Sequence, residues 1–166
     1  MTELYIIRHG IAADREKYHQ DFQRPLTDIG QQKTHKVAQK LIDMNYHFDL
    51  ILTSPLLRAR QTADILKKVG LSHHLEESLY LSPGGDIHSW LNWLENWQKN
   101  NHNSLAIVGH EPDLSHWAEM LIWGEIKNKI VLKKAGIIGL TLPEKISPIG
   151  NSLLFWLTSP KLLLEN

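Results

Sequence analysis

The chain has 166 residues, with 18 basic and 18 acidic side chains, ten histidines and no cysteine. That length suits one compact domain, 1–166, with room for a sizeable core. The charge balance argues against nucleic-acid or membrane-surface binding through a broad basic field, and the missing cysteines exclude disulfides and thiol catalysis.

An apolar run, Leu4-Tyr5-Ile6-Ile7, predicts a first strand over residues 3–8, ending in Arg8-His9-Gly10. This places a histidine beside an arginine at a strand end, a nucleophile next to its own anion receptor. In a pleated strand the two would face opposite ways, so both serve one pocket only where the chain is turning into a loop. Gly10 is expected to supply that turn through a positive φ, and to let a tetrahedral ligand approach the backbone. Met1 leads almost at once into this strand, with no basic segment and apolar core ahead of it. No stretch reaches membrane-spanning length, so a cytoplasmic location is expected.

Arg24 lies in the loop that follows. It reads either as a substrate-binding extension of the positive pocket or as a surface arginine ahead of Pro25. Thr27 then caps a helix running to about Met44, with Val37, Ala38, Leu41 and Ile42 on its apolar face. A second strand over 50–53 leads to Ser54-Pro55, read as the N-cap and first position of a helix over 55–68 that Gly70 ends. Arg58 falls about one turn inside it, near the positive helix end, where it can face the anion that Arg8 holds. Arg60, two positions on, faces elsewhere.

Asp86 opens a helix over 86–99, whose Trp90, Trp93 and Trp97 recur at helical spacing and read as a buried face rather than a stacking platform. A strand over 104–109 ends in Gly109-His110-Glu111-Pro112, and a helix starts at Pro112. The stretches Ala135–Leu142 and Leu153–Thr158 read as closing strands. Alternating strands and helices predict an α/β fold: a three-layer α/β/α sandwich with a mostly parallel central sheet flanked by helices. Ligands of such sheets bind outside the carboxyl ends of the strands, so Arg8, His9, Arg58 and His110 are expected to share one crevice. The remaining histidines do not suggest a metal. His73-His74, or His110-Glu111 with His116, lack zinc-protease spacing, and His19, His35, His47 and His102 sit in polar contexts where solvation is expected.

The Arg-His-Gly at the first strand, Ser54-Pro55-x-x-Arg58-Ala59-x-x-Thr62 and Gly109-His110 together resemble the histidine phosphatase superfamily, whose fold is phosphoglycerate mutase-like. Within it the chain is most similar to the small SixA-type phosphohistidine phosphatases. That narrower likeness rests on Arg24-Pro25-Leu26-Thr27-Asp28-x-Gly30, on Leu81-Ser82-Pro83-Gly84-Gly85-Asp86, on Thr158-Ser159-Pro160 and on shortness. A phosphoglycerate mutase reading is less attractive, because the chain lacks the length for that family's usual insertions.

The resemblance implies catalysis by Arg8, His9, Arg58 and His110. His9 would be the nucleophile that forms a covalent phospho-histidine, with Arg8, Arg58 and His110 binding the phosphoryl oxygens. Arginines can supply charge where other enzymes use magnesium, so no cofactor and no metal are expected. The expected partner is a phosphorylated protein, for example the histidine-containing domain of a phosphorelay, with phosphate or another oxyanion in the pocket. Larger relatives add a carboxylate acid in mid-chain. Asp86 and Glu77 are the nearest candidates here, but Asp86 is more simply a helix cap, and imidazole leaves without such help more readily than an alkoxide. Two alternatives stay open, a small-molecule phosphomonoesterase using one of those carboxylates and a non-catalytic phosphate-binding module.

Overall fold

The computed structural model describes residues 1–165. Its elements follow the chain as β1 (Thr2–Arg8), α1 (Asp28–Asp43), β2 (Leu50–Thr53), α2 (Leu57–Lys68), β3 (Leu75–Glu77), α3 (Ile87–Gln98), β4 (Ser104–Gly109), α4 (Asp113–Trp123), β5 (Ile137–Leu142), β6 (Leu153–Thr158) and α5 (Pro160–Leu164). The six strands form one sheet in the order β3-β2-β4-β1-β5-β6. The pairs β1–β4, β2–β4 and β2–β3 are parallel, whereas β5 runs antiparallel to both β1 and β6.

Buried on both faces, the central strands read as continuous apolar runs. Leu4 and Ile6 of β1, with Leu105 and Ile107 of β4, pack under α3 and α4 against Trp90, Leu94, Trp117 and Leu121. The alternate residues Tyr5, Ile7, Ala106 and Val108 pack on the other face against Val37 and Leu41 of α1, Ala63 and Leu66 of α2, and Leu163 of α5. This is the expected three-layer architecture. Trp90 is fully buried and lies 5.2 Å from Trp117 between ring centroids, while Trp93 and Trp97 are half-buried and stacked on each other. The tryptophan spacing thus marks a packed face.

Local signals account for the helix ends. The Thr27 hydroxyl accepts the Gly30 amide at 2.9 Å, and Gly70, at φ +100°, follows the end of α2.

Three local readings are corrected, and one strand was not foreseen. The helix expected over 55–68 starts at Leu57, because the Ser54 hydroxyl turns toward a histidine and only accepts the Leu56 amide at 3.2 Å. The polar triplet Leu75–Glu77, with no apolar pattern of its own, is an edge strand. Ala135 takes φ +57° in the turn before β5, so that strand begins at Ile137. His102 is not solvated like His19, His35 and His47 but half-buried, its ring 4.8 Å from that of Trp97.

Candidate active site

Adjacent positions of β2, β4 and β1 bring three strand ends side by side. The His9 amide donates to the Gly109 carbonyl at 3.1 Å, and the Ser54 amide to the Val108 carbonyl at 2.9 Å. His9 and His110 therefore leave neighbouring strands together, and their ring centroids lie 5.3 Å apart.

His9 is buried, and its Nδ1 lies 2.7 Å from the Gly10 carbonyl oxygen. A carbonyl can only accept, so Nδ1 carries the proton and Nε2 keeps a free lone pair. Burial is the main force pushing the His9 pKa down, to about 3, and the nearby His110, Arg58 and Arg8 push the same way against the Gly10 bond. His9 is thus a neutral imidazole at ordinary pH. Loss of solvent and the charge of Arg58 likewise lower His110, to about 4, although Asp21 opposes them.

His110 Nε2 lies 2.7 Å from the Ser54 hydroxyl, which is itself wholly buried. That hydroxyl accepts the Leu56 amide and can donate its own proton to Nε2. In that arrangement the proton of the neutral ring sits on Nδ1, which is buried and has no partner among the described residues.

Both arginines are fixed and incompletely satisfied. Arg8 Nη1 donates to the Leu132 carbonyl at 3.0 Å, and Arg58 Nη1 and Nη2 donate to the Asp21 carbonyl and carboxylate at 2.9 and 3.0 Å. The Nε atoms of Arg8 and Arg58 are buried without partners among the described residues. Buried cationic donors in this state suit an anion with several acceptor oxygens.

Arg24 is drawn in rather than left on the surface. Its Nε and Nη2 both lie 3.2 Å from Asp21 Oδ1, and Nη1 donates to the Ala13 carbonyl at 3.1 Å. Asp21 therefore joins Arg24 to Arg58. Partial burial acts to raise its pKa, yet the two guanidiniums hold the carboxyl below the usual range.

Gly10 has a different reason from the one expected. It is not among the glycines with positive φ. Instead, a Cβ there would run into Thr34 Oγ1, and its amide donates to the Thr62 hydroxyl at 3.0 Å. The absent side chain lets the turn after β1 lie against α1, and the space it leaves is filled by Thr34 rather than opened to a ligand.

Asp86 and Glu77 are engaged elsewhere. Asp86 caps α3, accepting from the amides of His88 and Ser89 and from the Ser89 hydroxyl, and Glu77 pairs with Arg60 at 3.1 Å. Sequence reasoning missed Asp21 and the role of Ser54. The only trace of Asp21 was an acid three positions ahead of Arg24. Among the described residues no three His, Asp or Glu side chains are placed to share a metal ion. A hollow of about 640 Å³ between α3 and residues 143–149 is spacious, but it gathers no comparable set of buried titratable groups.

Residues 4–87 match the histidine phosphatase superfamily (branch 1) as a family. The chain belongs to that superfamily. As a histidine phosphatase superfamily member it is 49% identical to an uncharacterized protein of Picosynechococcus sp., over 98% of this chain and 99% of that one. It is 29% identical to the phosphohistidine phosphatase SixA of Escherichia coli K12, over 95% and 94% of the two chains. The solved structure of the protein histidine phosphatase SixA complexed with tungstate superposes with a TM-score of 0.85 at 28% identity, covering 98% of this chain and 99% of that one. Superfamily members, SixA among them, are phosphatases. In this member no helix among the described residues is long and apolar enough to cross a membrane.

Proposed function

We propose that this protein is a phosphohistidine phosphatase, which hydrolyses phosphoryl groups from protein phosphohistidine through a covalent phospho-His9 intermediate. One observation carries the reading. His9 is a buried neutral imidazole whose Nδ1 is pinned to the Gly10 carbonyl, with Nε2 free beside Arg8, Arg58 and His110.

In the first step the Nε2 lone pair attacks phosphorus and the P–N bond to the substrate imidazole breaks. A substrate ring protonated on its other nitrogen leaves as neutral imidazole, so no protein acid is needed. That suits a site whose nearest candidate carboxylates, Asp86 and Glu77, are tied up in a cap and an ion pair. In the second step water attacks the phosphorus of phospho-His9, releasing inorganic phosphate and restoring the imidazole. Arg8, Arg58 and the Nδ1 proton of His110 hold the oxygens through both steps, and fixed donors of this kind stabilise developing charge without reorganising. Arg24, fixed by the same Asp21, extends the positive surface toward the substrate. The substrate is a protein such as a phosphorelay's histidine-containing domain, a choice supported by the likeness to SixA.

The test is phosphate release in EDTA by the wild type and by His9→Ala, from a phosphohistidine-bearing protein and from p-nitrophenyl phosphate. His9-dependent release favouring the phosphohistidine is expected. Cleavage of the ester alone would make the chain a small-molecule phosphomonoesterase, and no turnover of either would leave a phosphate-binding module.

A further inference from the structure

The two edges of the sheet are treated very differently. The β3 edge has three residues and carries Glu76 and Glu77, two devices that keep one sheet from pairing with another. The β6 edge has six residues, Leu-Leu-Phe-Trp-Leu-Thr, in a stretch, 146–160, without a single charge. Among the described residues, strand β6 pairs through its backbone with β5 alone, leaving its outer row of amides and carbonyls unpartnered.

Its side chains are exposed as well. Leu153, Leu154, Phe155 and Leu157 retain 66, 44, 45 and 43% of their surface. Leu154 and Leu157 lie opposite Leu140 and Ile138, on the sheet face covered by α3 and α4. The register shift opposite Gly139 and Leu140 lays the Phe155 ring over Gly139, and Trp156 stacks on Tyr46 at 5.4 Å. Both faces of the edge are therefore apolar, whereas ordinary edge strands place lysine, proline or an inward charge there.

We infer that the β6 edge pairs antiparallel with β6 of a second copy of this chain, joining two six-stranded sheets about a two-fold axis. A second copy fits because antiparallel pairing of identical strands is self-complementary, and here it sets leucine and phenylalanine against one another with no like charges to repel. The four side chains expose roughly 350 Å² per copy, so their apolar burial is at most about 700 Å² in the pair before backbone and flanking residues are counted. On its own this is below the roughly 1,000 Å² of a specific interface, so the outer backbone row and the flanking residues supply the remainder, and the dimer is weak and concentration-dependent.

Sedimentation of the intact protein from about 1 to 500 μM tests this, with Leu153→Lys and Leu157→Lys as variants and circular dichroism as the check on folding. The wild type is expected to pass from 19.1 kDa to about twice that mass. Hydrogen exchange of the 153–158 amides should slow over the same range, and each folded lysine variant should need at least about tenfold more protein to dimerise. If one variant does not fold, the other and the exchange measurement decide. A wild type that stays monomeric at every concentration overturns the inference. So does a dimer with unchanged β6 exchange, or folded lysine variants that associate as the wild type does.

Discussion

Asp21 grips Arg58 twice, accepting Nη1 at its backbone carbonyl and Nη2 at its carboxylate. The other carboxylate oxygen takes Arg24. An anion built into the loop after β1 thus aligns two cations of the pocket. Asp21→Asn keeps the shape and removes the charge. Because the native carboxyl lies below its ordinary value, Asp21 stabilises the fold fully above the unfolded value near pH 3.9, and this contribution is lost as pH falls through the lower native value. Thermal melts of the variant should therefore lack part of the wild type's acid destabilisation, and its KM should rise more than its kcat falls.

The two pocket histidines act on stability in a higher window. His9 and His110 titrate at about 3 and about 4 in the native protein, against about 6.5 when unfolded. Between those values the unfolded chain binds more protons, so stability is complete above about pH 6.5 and falls with pH, by up to about 1.4 kcal/mol per unit for each ring. Denaturation curves from pH 7 to 4 should show the slope, and His9→Asn should reduce it. On the proposed mechanism phosphate release uses neutral His9 and should show no acid limb at about pH 6.5 from this residue.

Ser54→Ala removes the hydroxyl from His110 Nε2 and from the Leu56 amide together. It should cost about 1 kcal/mol of stability through the lost hydrogen bonds and roughly tenfold or more in kcat through the misdirected imidazole. Ser54→Thr, which keeps a hydroxyl, should recover part of the rate in steady-state assays. A purely structural serine would affect melting without changing kcat.

Gly10→Ala places a methyl group against Thr34 Oγ1. Overpacking of this kind costs about 1–3 kcal/mol. Thr34→Ala should restore part of the loss, a coupling that a double-mutant cycle in urea would measure.

Asp86→Ala separates the two readings of that carboxylate. As the cap of α3 it should lower the melting temperature and leave phosphohistidine turnover unchanged. Glu77→Gln, which breaks only the exposed pair with Arg60, should alter neither. A selective loss of ester cleavage in either variant would restore the acid role.

Much of this architecture was legible because short apolar runs of three or four residues, bounded by turn signals and too brief for helices, fit buried strands. Those at 4–7, 50–52 and 105–108 delivered His9, the Ser54–Arg58 segment and His110 to one edge. Asp21 was not legible, since its meaning depends on how an irregular loop folds back over α2 and loops carry no periodicity. Ser54 misled for a related reason. Serine before proline is a sound helix-start signal, but the same hydroxyl found a stronger claimant on the neighbouring strand. At Gly10 the residue was noticed and the cause mistaken, because a need for positive φ and a want of space produce the same letter.

The fixed points of Arg8 and His9 lie far along the chain. The Arg8 amide donates to Gly136, its guanidinium to Leu132 and the His9 amide to Gly109, while the Ala135 amide donates back to the Arg8 and His9 carbonyls. Nothing ties the amides of Arg8 and His9, or aims the Arg8 guanidinium, until β4 and β5 have closed on either side of β1. A chain interrupted before residue 132 would carry Arg8, His9, Arg58 and His110 without the carbonyl that aims Arg8.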